Sequence, residues 1–225
     1  MKTPLVRVAL RLVPVLAIVS VARAAVPAPL MTVPGEPLVG ESWSGGLPKS
    51  WRAQKGTWLA EGGVVRGTEV AADKHQAVMR RSTAFTNAIV TFSFRLGQSR
   101  QISLSINDAK EHVCRLIINA NGFTAQKDDH DHDGPDKAVV FMRVPMKIAP
   151  GEWHTAVVEL NGPEMVAQID GAPRAAFGAH ALLDRPKANF GFTVAGGTAE
   201  FRDVSMVAAA PRADWAATKQ RLAAK

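Results

Sequence analysis

Hydrophobic and polar residues alternate along the centre of the chain with the period of two that β-strands require. In residues 89–96 the apolar positions fall on one face, and Thr91, Ser93 and Arg95 fall on the other. Residues 101–107 repeat this pattern. Because such alternation buries one face only, both segments predict strands with one face in the core. The predicted core positions are Phe92, Phe94, Ile102, Leu104, Ile106, Phe190 and Phe192.

Further strand-like segments follow at a spacing of roughly ten residues. They cover residues 113–119, 153–160, 165–169, 188–194 and 201–207. The dipeptides Asn161-Gly162 and Asp170-Gly171 lie beside these segments, and both favour the positive φ angles of hairpin turns. Short strands separated by such turns predict an all-β, antiparallel sandwich or barrel.

The two ends of the chain differ from this pattern. Residues 213–225 predict a short C-terminal helix, with Asp214 at its N-cap and with Trp215 and Leu222 packing on the domain. Prolines recur near the other end, which predicts an extended linker. The predicted organisation is a signal peptide at 1–24, a Pro-rich linker at 25–39, a β-sandwich domain at 40–208 and a helical tail at 209–225.

The first residues have the composition of an export signal. Lys2, Arg7 and Arg11 precede a ten-residue apolar run at 12–21, and Ala22-Arg23-Ala24 matches a small-x-small cleavage site. The run is too short to cross a bilayer as a stable helix. We therefore expect export to the periplasm or the extracellular space, with no membrane span after cleavage.

This signal also changes the meaning of the net charge. The whole chain carries +7, but residues 1–24 hold four cations and no acid, so cleavage would leave +3. A nucleic-acid partner is therefore not expected. Cys114 is the single cysteine, so the chain cannot form an internal disulfide. It lies in an apolar run, which predicts a buried and inert thiol.

Several segments resemble a known family. They are Trp51 with KGTW at 55–58, EGGVVRG at 61–67, FTNAIVTFSFRL at 85–96, GEWHTAVVELNGPEMVAQIDG at 151–171 and KANFGFTVAGGTAEFRDVSM at 187–206. Together they resemble the 3-keto-disaccharide hydrolase family, which also includes 3-keto-glucoside lyases and hydratases. The resemblance covers most of residues 40–207 and implies a concanavalin A-like jelly roll. Where many members carry an acidic segment, this chain offers Asn107, Asp108, Glu111 and His112 instead.

The resemblance also implies a chemistry, the cleavage of a glycoside already oxidised at C3. Such a reaction needs a base for the C2 proton, an electrophilic group at the ketone and an acid for the leaving oxygen. The candidate catalytic residues are His112, Asp108, His75, Lys127 and Asp128. His112 is the leading base, with Asp108 or Asp128 orienting it. Alternatively, these are solvated turn residues, since turns favour Asp, Asn and Lys.

Residues 127–134, which we call the acidic loop, are the sharpest local feature. They include an Asp-x-Asp-x-Asp-Gly pattern typical of the first half of a calcium loop. The candidate metal ligands are Asp129, Asp131, Asp133, His130 and His132. The carboxylates favour calcium, the imidazoles favour zinc, and an exposed hairpin tip without a metal is the alternative.

Two classes of function remain open from the sequence. The first is an enzyme acting on 3-keto-glycosides, and the second is a non-catalytic module that binds carbohydrate or the cell envelope. An ordinary glucanase is disfavoured, because no strand carries closely spaced paired carboxylates. For a binding module, the polar positions 101, 103, 105 and 107 suit a sugar-facing surface. Trp43 and Trp51 are the candidate exposed tryptophans, although Trp at the start of a strand more often belongs to the core.

Overall fold

A computed structural model describes residues 26–171 and 173–224, so the predicted signal peptide lies outside the described residues. The described chain forms fifteen strands and one α-helix. They are β1 Thr32–Glu41, β2 Trp51–Lys55, β3 Thr57–Glu61, β4 Val64–Thr68, β5 Ala77–Phe85, β6 Ala88–Arg95, β7 Gln101–Asn107, β8 His112–Asn119, β9 Gly122–Lys127, β10 Val139–Pro145, β11 His154–Asn161, β12 Glu164–Ile169, β13 Ala176–Ala179, β14 Lys187–Ala195, β15 Thr198–Pro211 and α1 Trp215–Ala223.

The strands form two sheets, and every strand pair that the structure records is antiparallel. The eight-stranded sheet has the order β13-β12-β11-β6-β15-β4-β3, and β1 also pairs with β15. The seven-stranded sheet has the order β10-β9-β8-β7-β14-β5-β2. The predicted all-β sandwich with a short C-terminal helix is confirmed.

The core between the sheets includes all the residues that alternation predicted. All seven predicted core positions are at most 1% exposed and belong to one cluster. Phe92 of β6 and Phe192 of β14 meet across the sandwich with ring centroids 5.1 Å apart. Cys114 is also buried, and burial raises the pKa of its thiol to about 12, as expected of an inert cysteine.

The predicted linker at 25–39 is wrong in its second half, because β1 runs through it and pairs with β15. Its prolines are tolerated because β1 pairs with one strand only. The register shifts on either side of Pro37, which interrupts the ladder locally. The sandwich also extends beyond the predicted boundary at 208, since β15 continues to Pro211.

Trp43 and Trp51, the candidate exposed tryptophans, are both buried, which agrees with the alternative that Trp at strand starts belongs to the core. Trp43 is 2% and Trp51 is 4% exposed. Trp51 stacks on Phe192 with centroids 5.9 Å apart. Their large apolar surfaces are more stable in the core than in water.

The C-terminal helix α1 packs on the domain as predicted. Trp215 lies in a small apolar cluster with Met31 and Val166, and Leu222 packs against it. Asp214 stands at the N-cap position, but its side chain pairs with Arg212 instead of capping α1. Among the described residues, no helix combines the length and the apolar character needed to cross a bilayer.

Candidate functional site

The seven-stranded sheet has a polar surface on the side away from the core, which we call the outer face. Its side chains alternate along each strand with core residues, so they point to the opposite side. They include Arg80, Ser82, Ser103, Ser105, Asn107, Arg115, Gln126, Asn189 and Thr193. The short side chains of β7 are nearly inaccessible at the centre of this surface, while Gln101 at its end is partly exposed.

The other sheet is partly covered on its corresponding side. Glu159 of β11 is fully buried there, beneath the backbone of residues 30–32. Trp153 is partly exposed, and the guanidinium groups of Arg95 and Arg202 lie 5.0 and 4.1 Å from its ring centroid. The outer face of the seven-stranded sheet holds the polar positions of β7 and lies beside His112, so it is the candidate ligand surface.

Strand register places arginines on both sides of a row of small residues on the outer face. Arg52 lies opposite Arg80, and Arg80 lies opposite Gly191. Gly191 in turn lies opposite Ser105, and Ser105 lies opposite Arg115. The short residues at the middle of this row, Gly191 and Ser105, are both buried.

His112 stands at the start of β8 within a polar network. Its Nδ1 lies 2.5 Å from the Oδ1 atom of Asn107 and 3.4 Å from the Ser105 hydroxyl. The Asn107 amide is itself fixed, because its Nδ2 donates to Asn189 Oδ1 at 2.6 Å. Since Asn107 presents a carbonyl oxygen, His112 Nδ1 carries the proton, and Nε2 is left as a proton acceptor.

The surroundings of His112 favour its neutral form. Burial, followed by the positive charge of Arg115, lowers the pKa of His112 to about 4. Glu111 opposes this shift, and its Oε1 lies 3.4 Å from His112 Nε2. The imidazole is therefore uncharged at neutral pH and can accept a proton.

Asp128 orients Arg115 and does not contact His112. Its Oδ2 lies 2.8 Å from Arg115 Nε, and its Oδ1 accepts a hydrogen bond of 2.8 Å from Gln126. Burial raises the pKa of the Asp128 carboxyl, although Arg115 opposes the shift. The prediction that Asp128 orients His112 is therefore wrong in its geometry.

Asp108 is likewise paired elsewhere. Its Oδ2 lies 2.8 Å from His130 Nε2 and also accepts a hydrogen bond from Arg185. Burial by itself raises the pKa of Asp108, but hydrogen bonds from the Glu111 and Lys110 backbones, from His130 and from Arg185 hold it well below its usual range. Asn107, and not Asp108, therefore orients the imidazole of His112.

Lys127 and His75, the two other predicted catalytic residues, have no described contact with His112. Lys127 is fully buried, and its ammonium donates to the carboxylate of Asp136 and to the Lys137 carbonyl. His75 lies in an exposed loop, where Nδ1 contacts the carbonyl of its neighbour Gln76. The contacts of Lys127 are therefore structural. His75 has no described contact with His112 or with the hydrogen-bond partners of His112.

The acidic loop connects β9 to β10, as a hairpin tip would. Asp129 Oδ1 accepts from the backbone of Asp131 and His132, at 3.3 and 2.9 Å. The two imidazoles have separate partners, Asp108 for His130 and Glu111 for His132. Within residues 26–171 and 173–224, no three His, Cys, Asp or Glu side chains converge as a metal site requires. The five predicted ligands, including Asp133, are therefore not gathered round one point.

Arg80 and Arg115 are the site residues that the sequence analysis missed. Arg115 is the single charged residue in an otherwise apolar stretch of β8, which was a readable signal. Arg80 belongs to β5, where alternation ends at consecutive arginines, so no pattern identified its face. Arg115 lies near His112 because both belong to β8, whereas Arg80 comes near through the pairing of β5 with β14 and of β14 with β7.

No protein-family model matches the chain, and no curated protein matches it. Many solved structures do resemble it. One is the carbohydrate-binding module CBM66 from Bacillus subtilis, at 15% identity and a TM-score of 0.58, covering 71% of this chain and 96% of that one. Another is the laminarinase from Rhodothermus marinus, at 11% identity and a TM-score of 0.61, covering 79% and 99%. A third is the endo-β-1,3-glucanase from Pyrococcus furiosus, at 7% and 0.57, covering 82% and 100%.

These similarities establish the architecture of the chain. At such low identities they show the fold alone, which is the concanavalin A-like jelly roll that the resemblance implied. Membership of the 3-keto-disaccharide hydrolase family stays a prediction.

Proposed function

We propose that this protein is exported and binds carbohydrate on the outer face of its seven-stranded sheet. The observation that carries this proposal is the set of accessible hydrogen-bonding side chains on that face, which includes Arg52, Arg80, Ser82 and Arg115. Sugars present many hydroxyl groups, and guanidinium, amide and hydroxyl side chains bind them by hydrogen bonds. The names of the structural neighbours, a carbohydrate-binding module and a laminarinase, support the same class of ligand.

Affinity electrophoresis against neutral and acidic polysaccharides tests this proposal. At least one polysaccharide should retard the protein. Ser82→Trp, which places a large side chain on the outer face, should abolish that retardation. Leu59→Trp is the matched control, since Leu59 is exposed on β3 of the other sheet. No retardation by any polysaccharide, or equal effects of both substitutions, would contradict the proposal.

A second candidate function is cleavage of 3-keto-glycosides, and the state of His112 favours it. A neutral imidazole with Nδ1 held by Asn107 presents Nε2 as a base beside two guanidinium groups. In this mechanism Nε2 takes the C2 proton, and the C2–H electrons form an enolate with the C3 ketone. Arg80 or Arg115 stabilises the enolate oxygen.

The remaining steps release the alcohol and add water to the sugar. The enolate re-forms the ketone as the C1–O bond breaks and a C1=C2 double bond forms. The imidazolium returns its proton to the departing oxygen, which leaves as an alcohol. Water then adds across C1=C2 and gives the free 3-keto sugar.

Release of 4-nitrophenol from 4-nitrophenyl 3-keto-glucoside measures this activity. His112→Gln should remove the release, whereas His75→Gln, in an exposed loop, should leave it unchanged. If the unaltered protein binds no sugar, both candidate functions are contradicted. If it binds sugar but releases no 4-nitrophenol, only the binding module is supported.

A further inference from the structure

A cleft of about 290 Å³ opens at the edge of the outer face, between β2 and β5. We call it the basic cleft. Its lining residues are Lys49, Ser50, Arg52, Gln54, Arg80, Ser82 and Asn189. Its volume is close to the lower end of known ligand sites, roughly 300 Å³, which suits one or two sugar rings.

The charges of the basic cleft have one sign. Three of its lining residues are cationic, and none of the described lining residues is acidic. Arg52 and Arg80 lie directly opposite each other on neighbouring strands. Like charges in this arrangement repel each other, so the pair is stabilised when an anion binds between them.

Arg80 has hydrogen-bonding capacity that its surroundings do not use. Its Nε is buried, and no described group accepts a hydrogen bond from it. Burial lowers the pKa of Arg80; Glu111, outside the cleft lining, opposes this shift, and Arg115 adds to it. A guanidinium remains charged under these conditions, so Arg80 contributes a positive charge to the cleft.

The neutral lining residues are held in fixed positions by neighbours. Ser50 Oγ accepts from Arg81 at 2.8 Å, and Asn189 Oδ1 accepts from Asn107 at 2.6 Å. The Ser50 hydroxyl proton and the Asn189 amide N–H groups remain as donors. The cleft therefore combines charged forks with oriented neutral donors, the combination that an anionic, hydroxyl-rich molecule requires.

We propose that the basic cleft binds an anionic sugar, that is, a carbohydrate carrying carboxylate or sulfate groups. This inference rests on the proposed carbohydrate function and specifies its ligand class. Arg52 and Arg80 bind the anionic group through their guanidinium forks, and the Ser50, Ser82 and Asn189 side chains bind the ring hydroxyls. Lys49 adds a point charge at the edge of the cleft.

Calorimetric titration with matched trisaccharides tests the inference. The probes are tri-galacturonate, its carboxyl-reduced neutral counterpart, a sulfated galactose trisaccharide and a polyphosphate of equal charge. The carboxylate or the sulfate form should bind at least about tenfold more tightly than the neutral form, and comparing the two identifies the preferred anion. Higher salt should weaken binding of the anionic form, since the charges are partly exposed.

Two variants locate the site. Arg80→Gln and Arg52→Gln should each weaken anionic-sugar binding by about tenfold or more. Arg52 is exposed, so its replacement leaves the fold intact even if loss of Arg80 perturbs it. Arg221→Gln on α1 is the charge-matched control, because α1 packs against the other sheet through Glu164 of β12.

The outcomes separate this inference from the proposed function. Equal binding of neutral and anionic forms, or anionic binding unchanged in Arg52→Gln, overturns the anionic-sugar inference and leaves carbohydrate binding standing. Binding of polyphosphate as tight as that of the anionic sugar overturns it as well, because the cleft would then select charge and not sugar. No binding of any sugar overturns both proposals.

Discussion

Thr32 of β1 donates two hydrogen bonds to the Glu159 carboxylate of β11, one from its backbone N–H and one from its hydroxyl, both at 2.8 Å. The backbone N–H groups of Leu30 and Met31 donate to the same carboxylate at 2.7 and 2.8 Å. The fully buried side chain of Glu159 thus holds residues 30–32 against the outer side of the eight-stranded sheet.

Glu159→Ala should destabilise the protein by about 2–4 kcal/mol, because it leaves several buried donors without an acceptor. Amide hydrogen exchange at Met31 and Thr32 should also accelerate. Chemical denaturation and exchange followed by mass spectrometry measure the two effects. Glu36→Ala, which removes an exposed carboxylate of β1, should change neither. A loss of less than about 0.5 kcal/mol for Glu159→Ala would mean that the contact is not structural.

Phe92→Ala and Phe192→Ala should each lower the free energy of unfolding by about 3–5 kcal/mol, because each leaves a cavity between the sheets. The two rings touch, so the double variant should lose less than the sum of the single losses. Urea denaturation measures all three. Leu59→Ala, at an exposed position of β3, is the control and should have little effect. Losses near zero would show that the assigned core face is wrong.

Protonation of His112 should lower the free energy of unfolding in acid. Its pKa in the folded protein is about 4, below the ordinary value of 6.5, so the unfolded chain binds the proton more tightly. The contribution of neutral His112 to the free energy of unfolding is fully present above about pH 6.5. It is lost as the pH falls toward about 4, and its magnitude is of order 2 kcal/mol. Urea denaturation at pH 7.5 and pH 5 should show this loss, and His112→Gln should reduce it. An unchanged pH dependence in the variant would refute the assignment.

Metal binding by the acidic loop should be weak. Asp129 and Asp131 already accept backbone hydrogen bonds, and the imidazoles of His130 and His132 bind different carboxylates. We therefore expect calcium to bind no more tightly than about 1 mM. Calorimetry with calcium and with zinc at pH 7.5 and pH 5 measures this, with His132→Gln as the comparison. Micromolar zinc affinity that disappears in that variant would show that the loop rearranges into a metal site.

Local patterns predicted seven of the fifteen strands of the described chain. The predicted segments 101–107 and 165–169 match β7 and β12 within one residue, and Gly162 adopts the positive φ expected of a hairpin turn. The prolines led to the wrong prediction of a linker over the second half of 25–39. A strand with one partner, such as β1, tolerates prolines.

The sequence by itself determined which residues face the core along the strands that alternate, such as β6 and β7, because alternation is a property of neighbouring residues. Only the tertiary structure decided which strands share a sheet. β6 and β7 follow each other in the chain, yet they belong to different sheets. The candidate site depends on that choice: pairing of β14 with both β5 and β7 brings Arg80 near His112 and Arg115. Burial in the packed sandwich is the main cause of the low pKa of His112, and Arg115 of the same strand and Arg80 of β5 add to it. The charge of the basic cleft arises from residues of different strands, since electrostatic interactions depend on distance in space and not on distance along the chain.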